Sequence, residues 1–110
     1  MKTYLYLDDE RTPKTDHPWV VVRSYVAAVS YVIQHGVPAY ISFDHDLGTT
    51  ESGYDFAKWL VEQDISKIYM LPENFEYNVH SANPVGRVNI EEYLRSYLDY
   101  KNATQTTTNT

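Results

Sequence analysis

The chain has 110 residues, 43% of them hydrophobic, and a net charge of −6, which suits one domain able to bury its own core. It has no cysteine, so disulfides, thiolate zinc sites and thiol nucleophiles are excluded. The acidic balance argues against a large nucleic-acid footprint, which needs a basic face, and no run approaches the roughly 20 apolar residues of a membrane span.

Tyr4-Leu5-Tyr6-Leu7 is β-prone and breaks into Asp8-Asp9-Glu10-Arg11, which predicts a first strand. The N-terminus lacks the long apolar segment of a signal peptide, so the expectation is a soluble cytoplasmic protein. Residues 12–18 carry two prolines and read as a loop. Trp19 to Arg23 is a second strand, rich in β-branched residues. Ser24 can cap a helix in which Val26, Val29, Val32 and Ile33 recur at helical spacing. His35 sits in its last turn, and Gly36 with Pro38 ends it.

Ala39 to Phe43 predicts the third strand. It stops abruptly in Asp44-His45-Asp46-Leu47-Gly48. Residues 48–53 have loop chemistry. Ser52 is placed to cap a second helix, with Asp55 in its first turn and Phe56, Ala57, Trp59 and Leu60 toward the core. That helix fades near Asp64, and the segment 65–74 is ambiguous up to the stop at Pro72.

Phe75 to His80 alternates and predicts a fourth strand. Residues 81–87 read as a Pro- and Gly-containing loop. Asn89 then caps a last helix with Glu92 as in a capping box, and Ile90, Tyr93, Leu94, Tyr97 and Leu98 form its buried stripe. Eleven tyrosines suit a half-buried rim. The domain is expected to span 1–101, followed by a disordered polar tail at 102–110.

The order β, β, α, β, α, β, α favours a mainly parallel sheet of about four strands flanked by helices. Parallel strands would bring three polar clusters to one edge: Asp8 to Arg11, Asp44 to Asp46, and His80 to Asn83. Ligands of open α/β sheets bind at that edge. Converging carboxylates repel unless some hold protons or a cation offsets them. Hard oxygen donors suit Mg²⁺, Mn²⁺ or Ca²⁺, and two histidines also admit a transition metal. Mg²⁺ takes few carboxylates and completes its shell with substrate phosphate, which points to phosphate chemistry.

Each candidate also has a plainer reading. Asp8 and Asp9 can cap the loop, Asp46 can hold an Asx-turn, and His45 can point away from its acidic neighbours. His80 suits proton transfer near neutrality, or a bond to loop backbone. Gly86 can admit a ligand and Arg87 can fork onto phosphate, or the two can make only a turn. Arg11 can bind phosphate or pair with nearby acids.

The segments LDDERTP (7–13), SFDHDLG (42–48), GYDFAKWL (53–60) and HSANPVGRVNI (80–90) together resemble the cyclic-phosphate-processing receiver-like domains of bacteria and their phages. The resemblance implies a receiver-like, flavodoxin-like fold and a role in processing cyclic phosphates of nucleotides or RNA ends. In response-regulator receivers an acidic pair, here Asp8 and Asp9, holds Mg²⁺ beside a phosphoacceptor, here Asp44, with a hydroxyl, here Ser81. No fifth strand with the receiver lysine is found, while His80, Asn83 and Asp46 are additions.

The resulting expectation is a metal-dependent phosphoesterase. Asp8, Asp9, Asp44 and Asp46 hold a divalent cation, Mg²⁺ or Mn²⁺. His80, Asp44, Ser81 and His45 carry the chemistry. Arg11, Asn83, Gly86 and Arg87 hold a small, nucleotide-derived phosphate. The alternatives are a signalling module phosphorylated on Asp44 and a protein that sequesters a cyclic nucleotide uncleaved.

Overall fold

The apolar runs form four short strands, β1 (Tyr4–Leu7), β2 (Trp19–Val22), β3 (Tyr40–Phe43) and β4 (Glu76–Val79), and three helices, α1 (Tyr25–His35), α2 (Gly53–Ile65) and α3 (Pro84–Thr108). The structure is a computed structural model that describes residues 2–108, with side chains described for residues 2–104. All pairings are parallel, in the order β2-β1-β3-β4.

Strand alternation divides the sheet into two unlike faces. Leu5, Leu7, Val22, Ile41, Phe43 and Val79 point to one side and meet Ala28 and Val32 of α1, Phe56, Ala57 and Leu60 of α2, and Ile90 and Leu94 of α3. Tyr4, Tyr6, Trp19, Tyr40, Ser42 and Asn78 occupy the alternate positions, in register with one another.

The handedness of parallel crossovers explains why the helices share one face. The steps β2 to β3 and β3 to β4 move in the same direction across the sheet, so their helices fall on the same side. The step β1 to β2 runs the other way, which sends its connection across the second face. That connection is residues 8–18 and contains no helix. The expectation of a sheet flanked by helices is thereby sharpened to a two-layer domain with one face under a loop.

Local signals account for most boundaries. Ser24 caps α1 by accepting from the Ala27 N–H. Ser52 and Asp55 form a reciprocal capping box on α2. On α1, Val26 and Ile33 are 67% and 52% exposed, and the buried residues are Ala28 and Val32. Apolar residues lie all round that helix, so spacing alone could not choose the inward face.

The start of α3 corrects the expected loop at 81–87. Pro84 takes the first helical position, where its missing N–H costs nothing. Asn83 Oδ1 accepts from the Gly86 N–H at 3.0 Å as an N-cap. Asn89 is therefore inside the helix. At its other end α3 continues to Thr108, into the segment from 102 that composition assigns to a disordered tail; residues 109 and 110 lie outside the described residues. The buried Asp64 accepts from Tyr97 and Lys101, which ties the later turns of α3 to α2.

Candidate active site

The residue after each of β1, β3 and β4 continues the ladder by one backbone bond. Asp8 N–H donates to Val22 O, Asp44 N–H to Leu7 O, and His80 N–H to Phe43 O. Asp8, Asp44 and His80 therefore form the next row of the second face, at the carboxyl edge. Donor atoms of the three lie within 4.8 Å of one another.

Asp8 is the best-held acid of the group. Its Oδ1 accepts from the backbone N–H groups of Glu10 and Arg11, each at 2.8 Å. Its Oδ2 accepts from Arg11 Nε at 3.0 Å and lies 3.0 Å from His80 Nε2. Burial pushes its carboxyl up, but these donors and the Arg11 charge outweigh burial and leave the pKa lowered.

Asp44 is treated differently. Burial, then the charge of Asp8, push its pKa up, and contacts from Ser81, Arg11 and the His45 N–H only partly offset them. Arg11 spans both acids, its second contact being Nη2 to Asp44 Oδ1 at 3.4 Å. Arg23 holds the Arg11 loop in turn, donating from Nη1 to Asp8 O and Arg11 O.

His80 is fixed from three sides. Its Nδ1 lies 2.7 Å from Ser42 Oγ, and Asn78 Nδ2 donates to that same oxygen at 3.4 Å. The Tyr6 ring stacks on the imidazole at 4.4 Å with a 6° interplanar angle. Burial dominates and lowers the His80 pKa, despite the raising influence of Asp8 and Asp44. A neutral ring that donates from Nε2 to Asp8 and accepts from the Ser42 hydroxyl satisfies every contact.

The remaining sequence candidates occupy other places. Asp9 lies outside the three-residue group, with its Oδ2 against Gly48. Asp46 is exposed and bonded to His45 Nδ1 at 3.0 Å and to Asn83 Nδ2 at 3.2 Å. His45 packs on α3 so closely that a Cβ on Gly86 would sit 2.3 Å from its Cγ. The His45, Asp46, Asn83 and Gly86 set thus pins the β3 loop to the start of α3. Gly53 has a matching role, since a Cβ there would lie 1.7 Å from Asp44 O. Ser81 is buried beside Asp44, and Arg87 is exposed on α3.

The chain matches the family model described as Cyclic-phosphate processing Receiver domain over residues 3–96. It belongs to that family. No curated protein and no solved structure gives a significant match. As a receiver domain it keeps the acid after β1, the acid after β3 and the hydroxyl after β4. Among its described residues the sheet has four strands, with no lysine-bearing fifth. No helix among the described residues is long and apolar enough to cross a membrane.

Sequence reasoning missed Ser42, Tyr6 and Arg23 in this cyclic-phosphate processing domain. The signal for two of them was present: strand alternation puts 6 with 8 and 42 with 44 on one face. Arg23 needed the pairing of β2 beside β1. As for a metal, Asp8, Asp44 and His80 form a mixed carboxylate and imidazole set that fits Mn²⁺ or another first-row ion better than Mg²⁺.

Proposed function

We propose that this domain opens a cyclic phosphate of a nucleotide or an RNA end by hydrolysis. The observation that carries the reading is a part-buried imidazole bonded to Asp8 and grouped with Asp44, two unequal aspartates spanned by one arginine. Arg11 is half exposed, so it can hold both carboxylates and still offer N–H groups to phosphate oxygens. It would stabilise charge that grows on the phosphoryl oxygens during attack.

The reaction needs a proton taken from water and one given to the leaving ribose oxygen. A water–phosphorus bond forms as the phosphorus–ribose oxygen bond breaks. His80, whose pKa burial lowers, would take the proton at Nδ1 by way of the Ser42 hydroxyl bonded there, and Asp44, with its raised pKa, is suited to return one. Ser42 and Asp8 orient the imidazole. If a divalent cation binds, Asp8, Asp44 and His80 would hold it, and it would polarise the phosphate and acidify a bound water in place of that acid–base pair.

The test is a screen of 2′,3′-cyclic and 3′,5′-cyclic nucleotides with Mn²⁺, with Mg²⁺ and with chelator, followed by product identification. A linear monophosphate as product, lost on His80→Ala, is the expected result. Unchanged ligand recovered after denaturation would favour sequestration instead. A second reading rests on Asp44 standing at the receiver phosphoacceptor position beside Ser81. An acyl phosphate formed from a small phosphodonor and lost on Asp44→Asn would favour it.

A further inference from the structure

The sheet face that carries no helix has an ordered composition. Its first row is Trp19, Tyr4, Tyr40 and, at the edge, Glu76, its second is Val21, Tyr6, Ser42 and Asn78, and its third is the acid and imidazole cluster. Between this face and the β1–β2 loop lies a cleft of about 690 Å³, lined by Tyr6, Trp19, Tyr40, Ser42, Asn78 and His80 among others. That volume is in the range of small-molecule sites. The first and third rows are four residues apart, or about 13 Å.

The aromatic rings are arranged as a floor and a wall. Trp19 stands edge-on to Tyr4, Tyr6 and Tyr40 with interplanar angles of 68°, 74° and 72°. Its Nε1 donates to Thr15 Oγ1 at 2.8 Å, which ties the covering loop to the wall. Tyr6 continues the aromatic surface directly onto the His80 ring. Asn78 is exposed and presents an amide that can both donate and accept. The loop already fills part of the layer above the sheet, and a covering helix would need roughly 10 Å of that layer.

Resting on the phosphoesterase reading above, we propose that this cleft is a nucleobase seat. The ligand is a nucleoside cyclic phosphate, with its phosphate at Arg11 and His80 and its base against Tyr6, Trp19 and Tyr40. Stacking on aromatic rings is tolerant of base identity. The exposed Asn78 amide would meet the polar edge of the base.

The experiment measures equilibrium binding to the full chain by ¹H–¹⁵N spectra. The ligands are adenosine and uridine monophosphates in 2′,3′-cyclic and 3′,5′-cyclic form, and the base-free methyl riboside 2′,3′-cyclic phosphate. At least one base-bearing ligand should bind about tenfold or more tightly than the base-free one, shifting the signals of Tyr6, Trp19, Tyr40 and Asn78. Tyr40→Ala should erase that advantage and leave the base-free affinity unchanged, while Tyr40→Phe keeps it. If Tyr40→Ala does not fold, Asn78→Ala at its exposed position takes its place and should reduce the advantage.

Equal affinity for base-bearing and base-free ligands, or no binding of either, overturns the seat. Self-association lost on Tyr40→Ala, with no base advantage, would assign the face to a second copy and overturn it as well. Turnover is read separately: tight base-dependent binding without cleavage sinks the phosphoesterase and keeps the seat, and cleavage without base preference does the reverse.

Discussion

Asp44 and Asp64 are both buried, with 4% and 7% of their surface exposed, and α2 connects their surroundings. The helix begins against the backbone of Asp44 and holds Asp64 at its far end. Asp64 has a full set of donors: the Leu71 N–H, the Tyr97 hydroxyl and the Lys101 ammonium. Burial raises its pKa, but these donors outweigh burial and leave it lowered. Asp44 has weaker compensation and a second carboxylate nearby, and its pKa is raised. A compensated buried acid is a clamp; one left under-compensated beside an imidazole and an arginine is where the proposed chemistry would sit.

The largest expected effect tests the second half of that contrast. Arg11→Ala should lower cyclic-phosphate turnover about 10²- to 10³-fold. Its cost in stability should be about 1–2 kcal/mol, because the guanidinium is half exposed but both of its carboxylate partners are buried. A large loss of stability with turnover retained would reverse the assignment.

Asp64→Ala should show the opposite pattern. It strands Tyr97, Lys101 and the Leu71 N–H, at a cost of roughly 3 kcal/mol. Denaturant midpoints would measure this, and turnover per folded molecule should be unchanged.

Acid titration of stability sharpens the contrast by sign. Asp64 has a lowered folded pKa, so its contribution is present above the unfolded value near 4 and is lost as pH falls through the folded value. Asp44 has a raised folded pKa, so its contribution is full below about 4 and is lost as pH rises through the folded value. In chelator-treated protein, Asp64→Asn should flatten the acid limb. Asp44→Asn should remove the decline above it, making the variant more stable than the parent near neutrality. Matching pH profiles for the two variants would break the comparison.

The smallest effect expected is that of Tyr97→Phe, about 1 kcal/mol of stability through one lost hydrogen bond to Asp64.

All four strands, the caps at Ser24 and Ser52, and the convergence of Asp8, Asp44 and His80 were legible from residue order. Alternation, capping chemistry and the rule that parallel strands share a carboxyl edge act over short stretches of chain, so one sequence states them. The start of α3 differs from the expected loop because Asn83 before Pro84 is itself a cap and first-turn signal, which competes with the capping box at Asn89 and Glu92.

What tertiary structure alone decided is the division of labour among similar residues. Alternation separates Asp8 from Asp9 only if β1 continues one residue further, and nothing local distinguishes Asp44 from Asp46. Strand pairing and loop closure turn one of each toward His80 and the other toward a loop. The helix-free face of the sheet has the same origin. It follows from the order β2-β1-β3-β4, and crossover handedness acts on that order through contacts between segments far apart in the chain.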